Sequence, residues 1–144
     1  MVETYMKKLL LISLSAMLLT ACSDKNQFKE AVLEQMQNEQ DVKDYKIDPE
    51  KMANCVVETT EKDMPGFFAL DPYRLASYRN YTKLLNVPKS QDPKKTLVEL
   101  SVDFGSGKKM SEAHSIYTES ILTCLDAVMP QHAGDSEKAN KLIP

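Results

Sequence analysis

DPEKMANCVVETTEK, residues 48–62, decides the fold class. The Asp48 side chain is suited to accept from the first free amides of a helix, and Pro49 falls at the first helical position, where proline is favoured. Met52, Cys55, Val56 and Thr59 then recur at i, i+3, i+4 and i+7, which predicts a helix from Pro49 to about Lys62 with one apolar face. The same start signal occurs twice more, at Asp71-Pro72 and Asp92-Pro93, each time ahead of a helix-compatible pattern. The chain has only four glycines and lacks the Asn-Gly and Asp-Gly pairs that mark hairpins. The expected fold is therefore all-α, a small bundle of four or five helices.

Working outward, Phe28, Val32, Leu33 and Met36 form an apolar stripe that predicts a first helix from about Lys25 to Gln40. Asp41 to Ile47 is polar and reads as a connection. Met64 to Leu70 is an uncharged apolar loop containing Pro65-Gly66 and the pair Phe67-Phe68. A helix from Pro72 to about Asn86 turns Leu75, Tyr78, Leu85 and either Tyr81 or Thr82 inward, and Asn86 to Gln91 is a loop around Pro88. Residues 93–104 admit two readings. Val98, Leu100, Val102 and Phe104 alternate as a strand would, whereas Leu97, Leu100 and Phe104 fit a helix. The Asp92-Pro93 start favours the helix, and a single strand would lack a pairing partner. Gly105-Ser106-Gly107 breaks the chain. The last helix, from about Met110 to Met129, carries Ala113, Ile116, Tyr117, Ser120, Ile121, Cys124, Leu125 and Val128 on one broad stripe. Pro130 ends it, and residues 130–144 read as a flexible tail.

The start of the chain has another character. Lys7 and Lys8 precede an apolar run of eleven residues, Leu9 to Leu19, and small residues follow. A membrane-spanning helix needs about 20 apolar residues, so this order is that of a secretory signal. Met6 begins the cleaner version of that signal and reads as the start. Leu19-Thr20-Ala21-Cys22 resembles the lipobox of bacterial lipoproteins. The resemblance implies that residues 1–21 are removed and that Cys22 becomes lipid-modified residue one, leaving a helical periplasmic domain over residues 22–129. In enterobacterial sorting an Asp directly after that cysteine retains a lipoprotein in the inner membrane. Ser23 stands there instead, and Asp24 is one place too late, so the resemblance implies the outer membrane, periplasmic face.

Removing residues 1–21 from 144 leaves 123, enough for one domain with a core. The removed segment holds two Lys and one Glu, so the formal charge of −3 becomes −4. A mildly acidic chain has no electrostatic case for nucleic acid. With Cys22 lipidated, Cys55 and Cys124 remain, an even pair in an oxidising compartment. Both lie on core-facing stripes, and a Cys55–Cys124 disulfide is expected. Two buried free thiols are the alternative.

A catalytic set is not visible. The histidines are His114 and His132, and the Gly-x-Ser-x-Gly elbow, Cys-x-x-Cys and His-Glu-x-x-His are missing from the sequence. His114 and Cys124 are ten residues apart on one helix, about 15 Å along its axis, too far to share a tetrahedral metal. Glu58, Glu61, Asp63, Asp103, Glu112, Glu119 and Asp126 read as solvated helix faces rather than a hydrolase pair. No cofactor and no enzymatic role is expected. Two features are candidates for partner binding: Met64, Phe67, Phe68 and Leu70 of the apolar loop, and Tyr78 and Tyr81 of the third helix. The loop has a competing reading as a lid packed on the core, which its composition favours, and the tyrosines have one as ordinary half-buried residues. The expected function is that of an accessory or assembly factor, held to the membrane through Cys22, that binds an envelope protein. In size, lipidation, helix content and cysteine count the chain is similar to pilotins, the small helical lipoproteins that escort secretins. A binding module for a small apolar ligand, such as a lipid or peptidoglycan fragment, is the alternative.

Overall fold

The computed structural model describes residues 23–129. The signal segment, Cys22, His132, the Pro130 helix stop and the tail lie outside the described residues. Among the described residues six α-helices follow one another: α1 over 23–38, α2 Gln40–Asp44, α3 Pro49–Asp63, α4 Pro72–Leu85, α5 Pro93–Asp103 and α6 Gly107–Val128, with a 3₁₀ turn at Val87–Lys89 between α4 and α5. Among the described residues there is no strand, so residues 93–103 take the helical reading.

All three Asp-Pro pairs start helices. Asp48 accepts from the amide of Glu50, Asp71 from that of Tyr73, and Asp92 from that of Lys95, at 3.0, 2.9 and 3.0 Å. Each bond satisfies an amide that the helix itself leaves unpaired. Two elements differ from the sequence expectation. The segment read as a polar connection contains α2, a single turn that buries Val42. And α6 begins three residues earlier than its apolar stripe, because the Ser106 hydroxyl accepts from the amide of Lys109 and so caps it.

The core is built from one face of each long helix. Phe28, Val32 and Met36 of α1 meet Met52, Ala53, Val56 and Val57 of α3, Tyr78 and Tyr81 of α4, and Tyr117, Cys124 and Leu125 of α6. The inward face of α3 is centred one residue further on than the i, i+7 count suggests: Thr60 is fully buried, Thr59 only partly. Thr60 tolerates this because its hydroxyl donates to the Val56 carbonyl at 2.7 Å. A smaller cluster of Leu84, Val87 and Leu100, with Phe104 and Met110, seats α5.

Tyr78 and Tyr81 are each 2 % exposed, so neither ring stands free as a partner anchor of the kind expected from the sequence. Their rings pack on Phe28, with centroids 6.0 and 5.7 Å away. The Tyr78 hydroxyl donates to Glu61 Oε1 at 3.0 Å, so the polar end is satisfied without reaching solvent. Met64 is likewise buried and belongs to the core.

Cys55 and Cys124 are bonded, with Cα atoms 5.8 Å apart. Their separation of 69 residues makes the closed loop long. Loss of the bond by Cys55→Ser is expected to lower stability by about 4 kcal/mol, the entropy of closing such a loop, read by urea denaturation against the same protein with and without reductant.

Burial pushes the Tyr78 phenol up to about 12, helped by the Glu61 hydrogen bond and charge and opposed by Arg74. Burial does the same for Tyr81, also to about 12, and raises Tyr117 as well. A raised phenol contributes stability that is complete below the unfolded value near 10 and is lost as pH climbs through the folded one. The expected result is a fold indifferent to these groups at neutral pH that unfolds cooperatively between pH 10 and 12, with the phenolate absorbance of all three appearing in that same transition.

Candidate functional site

The chain between α3 and α4, residues 64–71, is the unusual element. Read as a lid, it should bury its phenylalanines. Instead Phe67 is 100 % exposed, Phe68 62 % exposed, and Leu70 and Tyr73 are exposed beside them. This corrects the core-packed reading of the loop for every residue except Met64.

Exposure here does not come from slack. Gly66 turns at φ +98°, a left-handed conformation that L side chains rarely adopt. A Cβ at that position would stand 2.8 Å from the Arg74 amide nitrogen and 2.9 Å from its Cβ. The Arg74 guanidinium donates from one nitrogen to the Gly66 carbonyl at 2.7 Å and from the other to the Glu61 carbonyl. Asp71 uses both carboxylate oxygens: one caps α4 at the Tyr73 amide, the other accepts from the Phe67 amide at 3.1 Å. The Asp71 amide closes the turn onto the Phe68 carbonyl at 3.0 Å. Glycine clearance, an arginine clasp and a shared aspartate thus fix a backbone from which two aromatic rings stand out.

Glu61 ties this loop to the start of the chain. Its carboxylate meets Lys25 at 2.8 Å and accepts from Tyr78. One residue earlier in α1, Asp24 pairs with Arg79. A surface crevice is lined by Lys25, Glu58, Glu61, Phe67, Phe68 and Arg74, so the two rings and the first described turn of α1 share one patch.

A second feature adjoins the loop at Pro65 and extends along α4. A groove of about 540 Å³, open to solvent, runs between α4 and α6. Tyr73, Ala76, Tyr81, Phe104 and Ile116 supply its apolar lining, and Asp63, Asp103, Glu112 and Lys109 its charges. The edge-on Tyr81–Phe104 pair, at 5.9 Å, links α4 to the end of α5 at this groove.

Among the described residues no group of three His, Cys, Asp or Glu side chains is placed to hold a metal ion. His114 is exposed, and Cys55 and Cys124 are consumed in the disulfide. No described helix is long and apolar enough to cross a membrane. The chain matches no family model, no curated protein and no solved structure.

The sequence pointed to the loop but missed what holds it. Nothing local to Arg74 announces that its side chain reaches back thirteen positions to Glu61. The groove was not legible at all, since it is made where residues 63–65, 73–81 and 103–116 come together.

Gly66→Ala is expected to cost about 1–3 kcal/mol, from positive φ and the clash with Arg74, while Phe67→Ser stays within about 0.5 kcal/mol of the parent. Thermal melts of the two variants side by side check this, and equal destabilisation would show that the Phe67 ring packs inward.

Proposed function

We propose that the protein is a lipid-anchored accessory factor on the periplasmic face of the outer membrane, without enzymatic activity, that binds an envelope protein through the groove between α4 and α6. The groove carries this reading. Apolar side chains from α4 and α6 line it and charged residues edge it, which suits the apolar face of an amphipathic helix. Tyr73, well exposed at one end, is the kind of residue that anchors such an interface. The lipid anchor rests on the resemblance of Leu19-Thr20-Ala21-Cys22 to a lipobox, and the outer membrane on Ser23. The resemblance to pilotins in size and character fits the same role.

The groove also has ligand-scale volume, so a small apolar ligand is the second reading. A protein partner is favoured because Asp63, Asp103, Lys109 and Glu112 put four charges around the groove, whereas small-ligand sites are lined predominantly by apolar side chains with few polar groups.

Cross-linked co-purification of the lipidated chain from its native envelope separates the two, with soluble Cys22→Ala as control. One stoichiometric envelope protein is expected, and its recovery should fall about tenfold or more in a Tyr73→Ala, Ala76→Arg variant. Recovery of no protein, with lipid or glycan extracted from the purified chain instead, would overturn the accessory role in favour of the second reading.

A further inference from the structure

We propose that Phe67 and Phe68, with Leu70, form a wedge that enters the lipid interface beside the anchored end of the chain and so fixes the orientation of the bundle on the membrane. This rests on the reading of Cys22 as lipid-modified.

Three observations carry it. First, the rings are exposed on a backbone that is held from three directions, by Gly66, Arg74 and Asp71. Two adjacent exposed phenylalanines on a clasped loop do not relieve any strain in the fold, and adjacent exposed apolar side chains mark a contact surface. Second, the loop stands at the end of the bundle where α1 begins. Helices α1 and α4 advance in the same direction: Asp24 meets Arg79, Phe28 meets Tyr78 and Tyr81, and Glu34 meets Lys89. Helix α4 starts at Pro72, seven residues before Arg79, so the loop that precedes it projects about 10 Å beyond the level of Asp24. Only Ser23 separates Asp24 from Cys22 in the sequence. Third, the charges around the loop have no positive excess. Lys25, Lys62, Arg74 and Arg79 stand against Asp24, Glu58, Glu61, Asp63 and Asp71. Attraction to anionic headgroups therefore has no net positive charge to act on, and the contact must be made by apolar side chains, as when phenylalanine and leucine sink into the headgroup and acyl boundary.

A doubly or triply acylated cysteine already gives stable attachment. The wedge therefore adds little to how tightly the protein is held. It removes the freedom of the domain to swivel about its anchor, and with the loop seated in lipid, the groove that runs from Pro65 along α4 takes one defined aspect toward a partner.

Depth-resolved fluorescence tests this directly. The chain has no tryptophan, so Phe68→Trp places a sole indole in the wedge and Tyr45→Trp places one at the opposite end, after α2. Each full-length variant is purified with its native modification and its intact mass is measured. It is then reconstituted into phosphatidylethanolamine and phosphatidylglycerol vesicles with brominated acyl chains. The Phe68→Trp indole is expected to shift to the blue and lose roughly half or more of its emission to the bromines, while the Tyr45→Trp indole keeps a solvent-exposed spectrum. Adding Phe67→Ser and Leu70→Ser to the Phe68→Trp variant should abolish most of that quenching without releasing the protein from vesicles. A lipidated, vesicle-bound protein whose two indoles are equally unquenched would overturn the wedge while leaving the anchor intact. An unmodified Cys22 mass would overturn the anchor, and the wedge with it. A blue shift seen in native envelopes but not in vesicles would assign the loop to a protein partner and overturn the wedge.

Discussion

The Cys55–Cys124 bond joins α3 to α6, the longest described helix, and ties together the pair around which the other helices pack. Cys55 lies near the middle of α3, Cys124 near the end of α6, while Asp63 at the end of α3 shares a groove with Ala113 and Ile116 early in α6. The two helices therefore run in opposite directions, side by side. Tyr117 on α6 reaches Gln35 of α1 at 2.8 Å, and Phe28 on α1 packs against the tyrosines of α4. Helix α5 is seated by Leu100 in the smaller cluster with Leu84 and Val87. A domain of this size buries a limited share of its apolar surface, so a covalent constraint across its central helix pair stabilises it out of proportion to the contacts the two sulfurs make.

A second, polar constraint closes one end of the bundle. Glu61 is the hinge of it: its carboxylate binds Lys25 of α1 and Tyr78 of α4, and its carbonyl accepts from Arg74. The exposed Lys25–Glu61 pair would contribute little alone. Its effect comes from connectivity, because the same glutamate serves three elements and leaves the buried Tyr78 hydroxyl satisfied. The clasp that shapes residues 64–71 is an extension of this node, so the conformation of the exposed loop depends on the packing of α1 against α3 and α4. The loop is a product of the tertiary structure.

That dependence explains what could be read in the chain and what could not. Helix starts at Asp48, Asp71 and Asp92 are local events, decided within three residues, and the sequence carried them in full. The disulfide followed from counting cysteines and noting which helix face each occupies. By contrast, a tyrosine looks the same in sequence whether its ring faces a core or a partner. Tyr78 and Tyr81 went inward because Phe28 offers a stacking surface and Glu61 an acceptor, both on other helices. Phe67 and Phe68 went outward for the converse reason. Composition alone assigns an uncharged Phe-Phe segment to the interior, and only the left-handed turn at Gly66, locked by Arg74, reverses that assignment. Ser106 was legible as a break but not as a cap, because its partner amide at Lys109 precedes the apolar stripe of α6.

Helix α4 has one face for each of the two surfaces. Its Arg74 and Tyr78 side holds the loop and the start of α1; its Tyr73, Ala76 and Ser77 side lines the groove. Fourteen residues of helix, capped at one end by an aspartate that also pins Phe67, make a rigid connection between them. Energy spent on ordering the loop is therefore not spent on the loop alone. It fixes the axis of α4, and with it the angle at which the groove meets whatever approaches. Under the proposed lipid anchoring this geometry would matter more than affinity, since attachment to a membrane would confine the domain to a thin layer where even a modest interface is strongly populated.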